Sequence, residues 1–208
     1  MLQRRLDVKR GLNTAGYISG YRGSPLGGYD TALWRAKSHL DTYKIKFQPG
    51  VNEDLAATAC WGTQQVGLRP GAQYDGVFSI WYGKGPGVDR SGDALKHGNM
   101  AGTSKNGGVL VLAGDDHGAK SSTTAHQSEQ ALIAAMIPIF YPSSVQEYLD
   151  YGLYGFELSR FSGAWVGIKC VGDIVEGSAN VSLDTLGFEP SLPDFPLPEE
   201  GVHIRWPD

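Results

Sequence analysis

A single carboxylate, Glu53, lies in Gly50-Val51-Asn52-Glu53-Asp54-Leu55-Ala56-Ala57, where a loop turns into a helical stretch. An acid held there among glycine-rich loops can do proton chemistry on a bound group. Taken alone, its ordinary explanation is a first-turn carboxylate favoured by the helix dipole. Two other loops carry candidate chemistry. Gly20–Gly28 offers backbone amides and the Ser24 hydroxyl at a helix start. It is not a Walker loop, because no Gly-Lys-Ser/Thr ends it, and Pro25 interrupts a dinucleotide fingerprint. A generic strand-to-helix turn explains it equally. Gly83–Gly92 combines a glycine backbone with Lys84, Asp89 and Arg90, which reads as an anion nest or a mobile loop. Asp115, Asp116, His117, His126 and Glu129 are metal-ligand types, but their spacing matches no standard motif, so an ordered polar loop is the better reading and no metal ligand is assigned. Lys96, His97, His39 and His203 have no evident partners and read as surface or loop residues.

The elements that must position these loops follow from periodicity. Strands are expected at Thr14–Ser19, Tyr74–Tyr82, Gly108–Ala113, Ile137–Tyr141 and Trp165–Val171, with Ile45–Phe47 a short apolar candidate. Between them lie helical patterns at Tyr29–Leu40, Glu53–Leu68 (closed by Arg69-Pro70-Gly71), Ala94–Met100 and Glu129–Met136. A further helix from Val145 carries the stripe Val145, Tyr148, Leu149, Gly152, Leu153 and Phe156, with Ser143 or Ser144 as its cap and Glu147 placed for a capping box. Alternating strands and helices imply an α/β fold: a doubly wound, mostly parallel sheet of roughly five strands with helices on both faces. Its loops at the carboxyl ends of the strands are where such sheets bind ligands.

Composition narrows the classes. The chain has 208 residues, enough for one well-filled core. Its 29 glycines, well above the usual ~7%, come without a period and indicate many tight loops. A net charge of −4 leaves no electrostatic footprint for nucleic acid. The one basic cluster, Arg4, Arg5, Lys9 and Arg10, reads as a solvated helix face. Cys60 and Cys170 are too few and too far apart for a disulfide scaffold or thiolate metal site, and read as reduced core cysteines of an intracellular protein. No apolar run reaches the ~20 residues of a membrane span, and the N-terminus lacks a secretory signal, so a cytoplasmic location is expected. Residues 1–10 read as the end of an upstream helical segment, 11–178 as one domain, and 179–208 as a proline-rich linker toward a missing domain.

In order and spacing these motifs resemble the N-terminal thiamine diphosphate-binding domain of 2-oxoacid:ferredoxin oxidoreductases, in the indolepyruvate branch and its large fused forms. Tyr21-Arg22-Gly23-Ser24-Pro25 matches the family's Tyr-Pro-Gly-Thr-Pro loop, and Val51-Asn52-Glu53 its helix start. Gly83–Gly87 matches a lysine-containing glycine loop. Asp115-Asp116, Ser121-Ser122 and Glu129-Gln130 match a polar loop, and Ile137–Ser143 with Gln146-Glu147 continue the likeness over about residues 11–175. The resemblance implies a pyrimidine-type domain for thiamine diphosphate, acting in oxidative decarboxylation of an indolepyruvate- or arylpyruvate-type 2-oxoacid to an acyl-CoA, with electrons passed to ferredoxin. It makes Glu53 the catalytic carboxylate that bonds the pyrimidine ring nitrogen, a role that burial must support against the helix dipole. It places Gly23, Ser24, Pro25, Asn52 and Lys84 around the cofactor with Glu53.

Departures from the pattern carry their own expectations. Ser24 keeps the hydroxyl of the family's threonine and loses a methyl, while Arg22 replaces a proline. The Gly-Asp-Gly that holds the diphosphate and its Mg2+ is absent, since Ser91-Gly92-Asp93-Ala94 and Val171-Gly172-Asp173-Ile174 both fail at the third position. No cysteine-rich motif for a 4Fe–4S cluster is present either. The resemblance therefore implies a fragment, inactive by itself, with Mg2+ and 4Fe–4S held elsewhere in the complete enzyme. A diphosphate-binding domain or subunit, ferredoxin, coenzyme A and a second copy in a homodimer are its implied partners. The alternatives are a non-catalytic interaction or regulatory domain of the same fold, and a subunit of another thiamine diphosphate enzyme.

Overall fold

The computed structural model describes residues 1–68, 70–120, 124–183, 189–191 and 194. Arg69, Ser121-Ser122, His203 and most of the proline-rich stretch at 179–208 lie outside the described residues.

The described chain runs α1 (Leu2–Lys9), β1 (Thr14–Gly20), α2 (Gly27–Arg35), α3 (Lys37–Thr42), β2 (Ile45–Phe47), α4 (Glu53–Thr63), β3 (Gly76–Lys84), α5 (Gly85–Arg90), α6 (Gly92–Ala101), β4 (Val109–Asp115), α7 (Glu129–Ala134), β5 (Ile139–Phe140), α8 (Val145–Ser162), β6 (Val166–Val171) and α9 (Gly172–Val175). Six strands, one more than the rough five, form one sheet in the order β2-β1-β3-β4-β6-β5, and every pairing is parallel. The central strands are covered on both faces, which is why Val109–Ala113 and Val166–Val171 are almost continuously apolar.

Two cores flank the sheet. One packs Ala56, Ala57 and Cys60 of α4, Val88 of α5, Leu95 of α6 and Leu132 of α7 against Trp81, Val109 and Val111. The other packs Leu33 of α2, Leu40 of α3 and Phe156 of α8 against Ile18, Phe78, Leu110 and Ile168. The crossover after β1 therefore runs over one face and those entering and leaving β3 run over the other. Between β1 and β3 the winding reverses, and the carboxyl ends of the strands at such a switch point are where open α/β sheets bind ligands.

Several boundaries differ from the periodicity. The helix expected over Tyr29–Leu40 divides at Ala36 into α2 and α3. α4 stops at Thr63 because Gln64 leaves the helix to serve other backbones: its Nε2 donates to Val77 O at 2.8 Å, and its Oε1 accepts Gly108 N–H at 3.0 Å. β3 extends to Lys84 and runs directly into α5, with Pro86 in the helix's first turn, so Gly83–Gly92 is not a loop. β5 is a two-residue edge strand rather than Ile137–Tyr141, since Met136 takes φ +57° and the chain is still turning. Ser144, not Ser143, caps α8 by accepting Glu147 N–H at 3.3 Å. α1 is docked on the domain: Leu6 and Asp7 are buried, and Asp7 meets Arg160 of α8. Among the described residues no helix is long and apolar enough to cross a membrane.

Candidate active site

Glu53 is the first residue of α4, and the turn after β2 brings it to the carboxyl end of β1, where Gly50 N–H bonds Gly20 O at 2.8 Å. Asn52 caps the helix, its Oδ1 accepting Leu55 N–H at 2.9 Å. That bond commits the Asn52 side chain to the helix and fixes the direction in which Glu53 leaves it. Trp81 of β3 donates its indole N–H to Glu53 O at 2.8 Å. The Glu53 side chain is 15% exposed and lies against bare backbone. A Cβ on Gly87 of α5 would fall 2.6 Å from its Cγ and 2.9 Å from Oε1, and one on Gly83 would sit 3.5 Å from Cγ. Gly87 thus makes room for the Glu53 carboxylate, while the tight neighbour of Gly83 is the Trp81 ring.

Its charged neighbour is Arg90, at the end of α5. Arg90 Nε lies 4.0 Å from Glu53 Oε2 but donates to Asp54 Oδ1 at 2.8 Å. The guanidinium holds the Asp54 carboxyl below its ordinary range, and Asp54 in turn raises Arg90. Glu53 is left beside the pair.

The loop after β1 forms the other wall. Ser24 and Pro25 sit in its turn, joined by a cis peptide. Pro25 reaches the carboxyl end of β4, its Cδ lying 3.2 Å from where a Gly114 Cβ would be. Gly23 takes the aliphatic stem of Lys84, whose Cδ would be 2.7 Å from a Cβ there. Gly23, Pro25 and Lys84 therefore meet at the strand ends, and Glu53 lies with Gly83 and Gly87 on the α4 side.

The polar residues after β4 form a separate buried network. Asp115 is fully buried and accepts Ser128 N–H at 2.9 Å and Ser128 Oγ–H at 2.6 Å. Lys169 of β6 lies 3.6 Å away and bonds Glu129. Burial would raise the Glu129 carboxyl, but the Lys169 ammonium outweighs it and holds the group below its ordinary value. His126 packs on Gly85 and bonds Asp89 at 2.8 Å. These groups are ordered around a lysine, and among the described residues no set of three or more His, Cys, Asp or Glu could hold a metal. Burial pushes both thiols up, Cys170 to about 12. A shallow groove of about 550 Å³ beside Gly28, Ala32, Arg35 and His39 lies on the α2–α3 side, across the sheet from α4.

Trp81, Tyr82, Asp30 and Lys169 escaped the sequence reading. Trp81 and Tyr82 read only as strand apolars, and Lys169 is hidden in the run Val166–Val171. Asp30 looks like a first-turn acid, yet it is buried and accepts the Tyr82 hydroxyl. Desolvation, then Asp30, push that hydroxyl well above its ordinary range, so it stays a donor.

No family model matches the chain. It is 27% identical over 145 residues to the indolepyruvate oxidoreductase subunit IorA of Methanothermobacter marburgensis, a match covering 70% of this chain and 21% of that protein. The chain thus spans about a fifth of the length of the curated relative it matches. Among solved structures it is similar to a thiamine diphosphate-dependent 4-hydroxybenzoylformate decarboxylase of Rhodococcus jostii RHA1, with a TM-score of 0.60 and 12% identity over 92% of this chain and 33% of that one. It is also similar to a Mycobacterium smegmatis protein assigned to the thiamin diphosphate-dependent enzymes, with a TM-score of 0.55 and 12% identity over 87% and 32% of the two chains. The chain is related in sequence to part of an indolepyruvate oxidoreductase subunit and carries a fold shared with thiamine diphosphate-dependent enzymes.

Proposed function

We propose that this chain is the pyrimidine-binding part of a thiamine diphosphate-dependent 2-oxoacid oxidoreductase of the indolepyruvate type. The observation that carries the reading is the Glu53 carboxylate, set by a capped helix start into space that Gly87 leaves free at the carboxyl end of β3. The residues present fit one half of the cofactor. A side chain on Gly87 would take the space of the Glu53 carboxyl, which is 15% exposed.

When bound, the cofactor supplies an acidic C–H whose conjugate base adds to a 2-oxoacid carbonyl and accepts the electron pair released with CO2. Glu53 holds or shares the proton at the pyrimidine ring nitrogen that makes this possible. Gly23, Ser24 and Pro25 shape the opposing wall, and Asn52 fixes the first turn of α4. Lys84, whose stem packs on Gly23, is the candidate contact for an anionic group of cofactor or substrate. Nothing in the chain supplies the Gly-Asp-Gly of a diphosphate and Mg2+ site, so a partner domain or subunit completes the centre. Ferredoxin, coenzyme A, 4Fe–4S clusters, a homodimer and a cytoplasmic location belong to the same proposal. Val51 and Leu55, 82% and 53% exposed on either side of Glu53, give that partner an apolar surface to cover.

The test is exchange of the cofactor C2 proton in D2O, followed by NMR on the intact enzyme. Glu53→Gln should slow exchange by about 100-fold or more while the cofactor still binds. Exchange at the wild-type rate would remove Glu53 from the proton relay. A wild-type enzyme that binds no thiamine diphosphate would overturn the whole reading in favour of a non-catalytic domain.

A further inference from the structure

Trp81, Tyr82 and Gly83 are consecutive in β3, so their side chains alternate across the sheet. Trp81, fully buried on the α4 face, holds Glu53 through its indole N–H and lies beneath Gly83, where a Cβ would come 2.8 Å from its Cη2. Tyr82, fully buried on the other face, holds both ends of the loop that carries Ser24. Its carbonyl accepts Tyr21 N–H at 3.0 Å, and its hydroxyl donates to the Asp30 carboxylate in the first turn of α2. Tyr29 packs edge-on against the same ring at 5.2 Å. Gly20 completes the clamp, because a Cβ there would fall 2.1 Å from Tyr82 O.

Asp30 is only 8% exposed, and the bond it accepts comes from a neutral hydroxyl. A carboxylate in that setting is costly, and a packed apolar pair could fill the space without the cost. What the polar pair adds is direction: it fixes where α2 begins, and so where the preceding loop must run. We propose that Trp81 and Tyr82 form a register that sets the Glu53 segment and the Ser24–Pro25 loop at one relative position, with Tyr82 and Asp30 as positioning residues for the cofactor wall. What the register serves rests on the functional reading above; its existence does not.

Tyr82→Phe removes one hydroxyl and leaves the ring. Backbone amide exchange in the full chain should then quicken at least 10-fold over Tyr21–Leu26, while Glu53–Thr63 keeps its wild-type protection. Asp30→Asn keeps an acceptor and should match wild type, whereas Asp30→Leu should reproduce Tyr82→Phe. In the intact enzyme, Tyr82→Phe should weaken thiamine diphosphate binding about 10-fold. Unchanged exchange at 21–26, or exchange quickened evenly through the sheet, would overturn the register. Failure of the wild type to bind thiamine diphosphate would instead strike the proposed function, leaving the exchange result to judge this inference.

Discussion

A carboxylate serves proton transfer best when its neighbours crowd it without bonding it, and Glu53 is arranged that way. Its Cγ and Oε1 occupy the place a Gly87 side chain would take, its carbonyl rather than its carboxyl takes the Trp81 N–H, and Arg90, 4.0 Å from it, is bonded to Asp54. Gly87 therefore tests function separately from stability. Alanine is a better helix former than glycine by roughly 1 kcal/mol, so Gly87→Ala favours α5 locally. The added methyl cannot share space with a Glu53 Cγ at 2.6 Å and must drive the carboxylate aside. The expected outcome is a melting temperature within a few degrees of wild type, with thiamine diphosphate affinity lowered at least ~10-fold. Calorimetry and cofactor titration on the same sample check it; affinity that follows stability instead would mean that Glu53 has room to spare.

Among the elements, α4 carries the most consequence per residue, because its first turn presents Glu53. Asn52 caps that turn through a 2.9 Å bond to Leu55 N–H. Asn52→Ala should cost about 1 kcal/mol, and Asn52→Ser or Asn52→Asp much less, in urea unfolding. A larger loss of cofactor affinity than of stability would show fraying concentrated at Glu53. This start was legible in the sequence, since Asn-Glu-Asp before an alanine-rich run is a helix N-terminus by composition. The continuously apolar strand Val109–Ala113 was legible for the same local reason. What local pattern does not encode is where one residue is wanted by several segments. Gln64 ends α4 five residues before the helical pattern does at Leu68, because Val77 and Gly108 need its amide. Gly83–Gly87 looked like a loop because glycine usually is one; here Gly83 sits over Trp81 inside a strand and Gly87 leaves room for Glu53 inside a helix. Lys169 and Asp30 were hidden because a buried charge is identified by its partner, and the partner lies on another element.

For the whole molecule, the carboxyl ends of the strands carry the candidate site, and a buried ion pair fastens the amino ends. Arg160 of α8 gives Asp7 of α1 two bonds, at 2.7 and 2.9 Å, and reaches Gly107 O and Asn106 O before β4. Thr14 of β1 and Gln3 donate to the same carboxylate. One group thus joins α1, β1, α8 and the turn into β4. Burial alone would raise the Asp7 carboxyl, but the Arg160 bonds and charge, with Thr14 and Gln3, outweigh it and hold it below its ordinary value. A carboxyl lowered in the folded state stabilises above its unfolded value of about 4, and that contribution fades as pH falls through the folded value. Asp7→Asn leaves Arg160 buried without its counter-charge, so at pH 7 the variant should lose about 3 kcal/mol. Between about pH 4 and pH 2 the two unfolding curves should converge, because the wild type loses by protonation what the variant has already lost. Urea unfolding at a series of pH values reads both features. A constant gap between wild type and variant down to pH 2 would mean that the Asp7 charge is not what fastens α1 to the domain.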